Sequence, residues 1–212
     1  MKIRRINPIG SAAQIPAALS QSEYHKIAIC NWPQDYPYAP AVEFAAAHSG
    51  DRLYLHFRVE EQSSRAAASE DMGRVWEDSC VEFFCAPQSG SDRYYNIECN
   101  CIGKVLLCCG EGRHERRPAP KEVLQAIDRW TTLGGEPFDE KPCGLWELAL
   151  SIPVQAFFES GLESFDGLKA RANFYKCGDL LSTPHFLSFA PIATAQPDFH
   201  RPEFFTSIEF EL

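Results

Sequence analysis

The chain has 212 residues, of which 45% are hydrophobic and 12% aromatic, so it is long enough to bury one sizeable core. Its formal net charge of -9 argues against nucleic acid and anionic membranes as partners, because both are bound through a positive field. No apolar run approaches the roughly 20 residues that cross a bilayer. The sequence therefore predicts one domain over residues 1–212, with no nucleic-acid or membrane partner and a neutral or cationic ligand.

The start of the chain, MKIRRINPIGSAAQIPAALS, lacks the continuous apolar core of a secretion signal. Nine cysteines without such a signal are typical of free thiols, and we therefore expect a cytoplasmic protein. The cysteine pairs CNC and CC do not have the spacing of a zinc site, such as CxxC followed by a second CxxC. These spacings give no reason to expect a cofactor.

Alternating apolar and polar residues predict strands along most of the chain. In DRLYLHFRVE (51–60), one face carries Leu53, Leu55, Phe57 and Val59. The same period of two recurs in four later segments: YYNIECN (94–100), LWELALSI (145–152), KARANFY (169–175) and TSIEFEL (206–212). Shorter apolar runs predict further strands: KIAIC (26–30), VEFA (42–45), VEFFC (81–85) and KVLLC (104–108).

Two segments that begin with proline, PKEVLQAIDRW (120–130) and PVQAFFES (153–160), predict short helices. Residues 61–74 and 110–143 are predicted to be long loops, which in a compact domain often carry or cover a site. Many closely spaced strands with few helices predict an all-β fold. We expect an antiparallel, jelly-roll-like β-sandwich with one or two short helices.

The stretch VWEDSCVEFF (75–84) places polar groups beside a run that otherwise favours burial. Alternation puts Glu82 on the face opposite Val81 and Phe83, with Trp76 just upstream at the edge of the same face. A flat ring beside a carboxylate suits a sugar, because the ring packs on apolar C–H groups while the acid accepts hydroxyl hydrogen bonds. The alternative is that Trp76 packs the preceding loop onto the core and Asp78 caps a turn.

Two predicted strands carry rows of polar side chains opposite an apolar face. Asparagine, which is unfavourable in strands, recurs in both rows, and its amide both donates and accepts hydrogen bonds, as hydroxyls do. The first row is Asn96, Glu98 and Asn100, and the second is Arg171, Asn173 and Tyr175. An ordinary solvated strand face would also be polar, so the rows are compatible with both interpretations.

The run WEDSCVEFF followed by YYNIECNCIG resembles the family 9 carbohydrate-binding modules. The later pieces RANFYKCGD, PHFLSFAPI and PDFHRPEFF are similar to the C-terminal part of a bacterial branch of that family, so the resemblance runs from about residue 30 to the end. It implies a β-sandwich that holds a sugar between two aromatic rings, with polar side chains around the hydroxyls. In characterised members the sugar is often a chain end of xylan or cellulose.

Carried over by position, the resemblance implies that Trp76 is the first ring and that Glu82 is the acid beside it. Asn96, Glu98, Asn100, Arg171 and Asn173 fall where the family places hydrogen-bonding residues. The second ring would be Phe189 or Tyr175, because this chain reads Ser-Phe-Ala-Pro at 188–191 where related sequences read Ser-Trp-Ser-Pro.

The resemblance also raises two less specific possibilities. His200 or Arg201 could reach the site, although an ion pair of Arg201 that holds the last strand is the favoured interpretation. Structural calcium occurs in the family, and the loop acids suggestive of it here are Glu70, Asp71, Glu77 and Asp78.

The predicted function is non-catalytic carbohydrate binding with no catalytic residue, alongside a separately encoded glycoside hydrolase as a candidate partner. One alternative is a glycoside-active enzyme that uses Glu82 and Glu98, for which a desolvated acid with a raised pKa would argue. The other is a protein-interaction sandwich that has lost its sugar site, for which a large exposed apolar patch would argue.

Overall fold

The computed structural model describes residues 1–87 and 91–212. The strands in these residues are, in chain order, β1 (Lys2–Arg5), β2 (His25–Lys26), β3 (Ile29–Cys30), β4 (Ala41–His48), β5 (Arg52–Glu60), β6 (Ser63–Ala66), β7 (Cys80–Ala86), β8 (Tyr94–Asn100), β9 (Val105–Gly110), β10 (Arg117–Pro118), β11 (Asp128–Thr131), β12 (Phe138–Pro142), β13 (Leu145–Pro153), β14 (Lys169–Cys177), β15 (Phe186–Ser188) and β16 (Thr206–Phe210). The α-helices are α1 (Ile15–Ala18) and α2 (Lys121–Ala126), and 3-10 turns cover Ala12–Gln14, Val75–Glu77, Val154–Phe157 and Pro202–Phe204.

The strands form a β-sandwich of two sheets. Sheet A has the order β10-β9-β8-β7-β14-β16-β1, and sheet B has the order β1-β4-β5-β13-β11. Short strands extend them: β15 pairs with β14 and β3 in sheet A, and β2 pairs with β4 in sheet B. The all-β sandwich that the alternating sequence predicts is therefore confirmed.

The core lies between the inner faces of the two sheets. All four apolar residues of the predicted strand at 51–60 are buried there on β5, and sheet A contributes the aromatic side chains of Phe83 and Phe174. These two rings stack with centroids 4.8 Å apart, and Phe174 also stacks on Phe44 of sheet B at 3.8 Å. Because side chains alternate along a strand, the residues between the core positions on β7, β8 and β14 must face away from the core.

The first strand joins the two sheets. Lys2 and Ile3 of β1 pair in parallel with the end of β16, while Arg4 and Arg5 pair in parallel with the end of β4. The other ladders are antiparallel, as predicted, so β1 is the exception among the described strands. The N-terminal strand β1 thus lies between β16 of sheet A and β4 of sheet B and links the two sheets.

Three local predictions need correction. The run KIAIC is not one strand but is interrupted after Lys26. Its first part belongs to β2 in sheet B and its last part is β3 in sheet A, and Ile27 between them is fully buried in the core. The two predicted loops contain β6 and β12, which pair with each other in a separate two-stranded sheet. A helix forms at Lys121–Ala126, but residues 128–130 of that predicted helical segment belong to strand β11, and the segment after Pro153 makes only a 3-10 turn. No helix in the described residues is both long and apolar enough to cross a membrane.

A buried ion pair on the inner side of sheet A holds the C-terminal end of β14. Lys176 Nζ lies 2.8 Å from Glu61 Oε2 and 2.7 Å from His185 Nε2, and both members of the ion pair have fully buried side chains. The Trp146 indole and the Ser64 hydroxyl donate to Glu61 Oε1 at 2.7 and 2.8 Å. Burial alone would raise the pKa of Glu61, but the charge of Lys176 and hydrogen bonds from Lys176, Ser79 and Trp146 lower it below its ordinary value.

Replacing Lys176 with methionine should lower the free energy of unfolding by about 3–5 kcal/mol, because Glu61 would then be a buried charge without its partner. Urea denaturation near neutral pH measures the change. The matched control is Lys169→Met on the same strand, which is exposed and should change stability by less than about 0.5 kcal/mol. Equal effects of the two substitutions would show that the buried pair does not hold this strand.

Candidate functional site

A cavity of about 460 Å³ lies on the outer face of sheet A. Its floor is formed by alternate residues of β7, β8, β9 and β14, the positions that face away from the core. Four segments surround this floor: the 3-10 turn before β7, the loop after β9, the stretch from the end of β14 into β15 and the segment before β16. The residues that line the cavity are Arg74, Trp76, Glu82, Asn96, Glu98, Leu106, Cys108, Arg113, His114, Arg116, Cys177, Asp179, Phe186, Pro197, Asp198, Phe199 and His200.

Trp76 is presented on one wall by the 3-10 turn Val75–Glu77. The buried carboxylate of Asp78 anchors this turn, because it accepts hydrogen bonds from the backbone N–H groups of Ala67 and Ala68 at 2.9 Å and from Arg65 at 2.8 Å. The turn thus has a rigid base and leaves Trp76 half-buried at the cavity. Asp78 therefore has the structural role that the alternative interpretation assigned to it, while Trp76 is available to a ligand.

Glu82 and Glu98 occupy directly opposed positions on β7 and β8 and form the polar floor. Both are almost fully buried. Burial, together with the charge of Glu98, raises the pKa of Glu82 well above its ordinary value, although the Cys177 thiol donates to its Oε1 at 3.1 Å. Burial raises the pKa of Glu98 to about 7, against the lowering effect of the Asn96 amide, which donates to it at 2.8 Å. Near neutral pH the pair therefore retains a proton and can both donate and accept hydrogen bonds.

Arg116 and His200 cover the far side of the polar row. The Arg116 guanidinium donates to Asn96 Oδ1 and to the carbonyl of Tyr94, both at 2.9 Å, and lies 4.1 Å from the centre of the Tyr94 ring. His200 Nδ1 lies 2.8 Å from the Tyr94 hydroxyl. Burial and the charge of Arg116 lower the pKa of His200 to about 3, so this imidazole is neutral and offers hydrogen bonds rather than charge.

Two further aromatic side chains, Phe186 and Phe199, complete the apolar part of the wall. Their ring centroids are 6.2 Å apart with planes at 69°. Phe199 also stacks on Tyr175, with centroids 4.2 Å apart and planes at 7°, which fixes its orientation. The cavity thus combines three rings, Trp76 included, with a polar floor.

Four of the nine residues predicted to bind a ligand line this cavity: Trp76, Glu82, Asn96 and Glu98. Glu82 faces away from Val81 and Phe83, as the alternation predicts, but the surrounding segments bury it to 3% exposure instead of leaving it on an open strand face.

The other five predicted residues do not line the cavity. The Asn100 amide donates to Asp78 and to the carbonyl of Ala68, so it helps to anchor the turn that carries Trp76. Asn173 donates to the carbonyl of Ala190 and accepts from its N–H. The side-chain amides of Asn100 and Asn173 therefore form hydrogen bonds within the fold and are not presented to a ligand.

Arg171 donates to the carbonyl of Pro202 and fastens the segment before β16. Neither candidate for the second ring lies at the cavity surface. Tyr175 is fully buried beneath Phe199, and Phe189 points into the core, where it packs edge-on against Phe44 and Phe174.

Sequence reasoning missed Arg113, Arg116, Asp179, Phe186 and Phe199 as cavity residues. None lies in a long alternating strand, so the period-two pattern does not single them out. Asp179, Phe186 and Phe199 do lie, like His200, in the segments RANFYKCGD, PHFLSFAPI and PDFHRPEFF that carry the resemblance. Arg201 instead pairs with Glu203, two residues away, near the surface.

Three of the four loop acids suggested for calcium already hold protein donors. Asp78 accepts from Arg65 and two backbone N–H groups, Asp71 pairs with Arg129, and Glu77 pairs with Arg74. These contacts turn the carboxylates toward cationic and N–H groups of the protein. The set therefore does not fit a shared calcium site.

Comparison with known proteins identifies the class. The family model for carbohydrate-binding family 9 matches residues 13–210. A solved structure from Bacteroides uniformis, provisionally described as a carbohydrate-binding protein, is 46% identical, with a TM-score of 0.95, covering 100% of this chain and 98% of that one. The chain belongs to carbohydrate-binding family 9. None of the curated proteins matches it.

Two more distant structures share the fold. Both are family 9 carbohydrate-binding modules from Caldicellulosiruptor kristjanssonii, one in complex with glucose and one with cellotriose. The first is 10% identical with a TM-score of 0.65 and covers 100% of this chain and 95% of that one. The second is 11% identical with a TM-score of 0.64 and covers 100% and 93%.

The raised pKa of Glu98 predicts a pH-dependent stability. Because the pKa of about 7 in the folded state lies above the ordinary value of 4.5, the folded state holds more protons in this window, and stability falls as the pH rises through it. Glu98→Gln removes the titration, so relative to wild type it should gain about 1–3 kcal/mol between about pH 5 and about pH 8. Urea denaturation at both pH values measures this gain.

The control is Glu122→Gln, an exposed substitution on α2 that should follow the wild-type pH profile. If the stability of Glu98→Gln and that of wild type also change in parallel with pH, Glu98 does not have a raised pKa in the folded protein.

Proposed function

We propose that the chain binds a mono- or oligosaccharide in the cavity on sheet A without cleaving it. The observation that carries this proposal is the arrangement of Trp76 on one wall above a floor of Glu82, Asn96 and Glu98. An indole packs on the apolar C–H face of a pyranose, and polar side chains at its edge bind the hydroxyls. The cavity volume of about 460 Å³ lies within the roughly 300–1,000 Å³ typical of small-molecule sites.

The floor is suited to hydroxyl groups in particular. A hydroxyl is both donor and acceptor, and the Glu82–Glu98 pair offers both functions because it retains a proton near neutral pH. Asn96 is oriented by the bond from Arg116 to its Oδ1 and by its own donation to Glu98. The row is therefore organised before the ligand arrives, which lowers the entropy cost of binding.

A neutral ligand also suits the charges around the cavity. Arginines at the rim balance the acids of the floor, and the rim pair Arg113–Asp198 lies 3.7 Å apart. The glucose and cellotriose held by the two Caldicellulosiruptor modules support a glucose-containing ligand, and chain ends derived from cellulose or xylan are the first candidates.

Trp76→Ala should abolish sugar binding while the protein stays folded, because the half-buried ring contributes mainly to the cavity wall. Calorimetric titration with glucose, xylose, cellobiose, xylobiose and cellotriose measures binding, and thermal melts check folding. The matched control is Trp130→Ala, which removes a half-buried indole outside this cavity and should leave the affinity unchanged.

No heat with any of these sugars, together with a Trp76→Ala variant destabilised by roughly 3–5 kcal/mol, would instead make Trp76 a packing residue.

A second candidate function is glycoside hydrolysis, which one observation favours. Glu98 has a pKa near neutrality, as a general acid requires, and Glu82 lies directly opposite it on the neighbouring strand. Against it, both acids rise side by side from one floor, whereas a glycosidase pair flanks the scissile bond.

The remaining alternative, an interaction surface, has less support, because the large exposed apolar side chains in the described residues are three leucines: Leu145, Leu180 and Leu212.

Release of reducing ends from cellotriose or xylotriose separates the two functions. The binding proposal predicts that neither wild type nor Glu98→Gln releases products during prolonged incubation. Turnover by wild type that disappears in Glu98→Gln, with binding retained, would establish hydrolysis.

A further inference from the structure

The geometry points to a zinc-type metal site at the floor of the cavity, formed by Cys80, Cys177 and Glu82. The two thiol sulfurs and a carboxylate oxygen of Glu82 all lie within 4.8 Å of one another. All three side chains are almost completely buried. This site does not depend on whether the cavity accepts a sugar.

The sheet register explains why these three groups meet. Cys80 and Cys177 are directly opposed on the antiparallel strands β7 and β14, so their side chains leave the same face of sheet A. Glu82 follows Cys80 by two residues and therefore shares that face. Each ligand is fixed by a strand rather than by a loop, which holds the set in place before a metal arrives.

The surroundings favour a cation. Glu98 lies opposite Glu82, and the Asp179 carboxyl lies within hydrogen-bonding reach of the Cys177 thiol. Within the described residues, no lysine or arginine lies within ion-pair distance of Glu82: Lys176 is paired with Glu61 on the other face of β14, and Arg113 is paired with Asp198. Glu82 thus lies beside two thiols without an ion-pair partner of its own among the described residues, so a metal could serve as its cation.

The ligand chemistry selects the metal. Two thiolates with one carboxylate suit a borderline-soft ion such as Zn²⁺, whereas calcium takes oxygen ligands only. Glu82 and Cys177 both line the cavity, so a fourth coordination position would be open to it. Binding would displace the protons of both thiols into solvent and leave the proton of the glutamate pair on Glu98, because thiolates and a carboxylate are the ligating forms.

The test uses the full chain, reduced and freed of metal with a chelator, and titrated with Co²⁺ as a spectroscopic substitute for zinc. One equivalent should give a thiolate-to-cobalt charge-transfer band, and Zn²⁺ should displace the cobalt and remove the band. Cys80→Ser and Cys177→Ser should each abolish the band, and Glu82→Gln should weaken cobalt binding at least about tenfold.

The matched control is Cys108→Ser, which removes a thiol that lines the same cavity on β9 but lies outside the cluster, so its band should match that of wild type. Thermal melts without metal establish that each variant is folded. Should wild type give no band, or should the band persist when Cys80 and Cys177 are both replaced, the site is ruled out. Binding of several equivalents without a charge-transfer band would indicate surface carboxylates and would also reject it.

Discussion

The structure depends on the alternation of side chains along β7, β8 and β14. Because Phe83 and Phe174 must face sheet B to build the core, the neighbouring residues have to leave sheet A on its outer face. Glu82 and Glu98 are therefore held at fixed positions by the packing of the apolar core behind them. A shift of one residue in either strand would exchange the two faces and expose the core, so the arrangement of the floor is as stable as the sandwich itself.

The segments that surround this face change its chemistry. An uncovered strand face would leave both glutamates hydrated and ionised, but the turn at Trp76, the loop at Arg116 and the segment at His200 enclose them. Their burial raises both pKa values and makes the floor a donor as well as an acceptor. The same enclosure brings two thiols beside Glu82, which has no ion-pair partner among the described residues, so hydroxyl binding and metal binding are both derived from one desolvated face.

The sequence predicts the sandwich well because period-two alternation is a local signal, and each long strand carries it. Alternation also places Glu82, Asn96 and Glu98 opposite the apolar faces of their strands, and the family resemblance adds Trp76 at the same surface. The sequence pattern could not place Arg116 or Phe199, because these lie in segments whose path is decided by tertiary contacts. For the same reason Phe189 was a plausible ring by position, although its side chain turns inward to pack on Phe44.

Carbohydrate binding in the cavity beside Trp76 can be tested directly by nuclear magnetic resonance. The chain has four tryptophans, so the indole N–H region of a nitrogen–proton correlation spectrum provides a compact map of the molecule. On titration with glucose or cellotriose, the Trp76 signal should shift saturably, while the signals of Trp146, buried in the core, and Trp130, outside the cavity, should stay in place. A saturable shift of Trp130 with Trp76 unmoved, or no shift with any sugar, would contradict it.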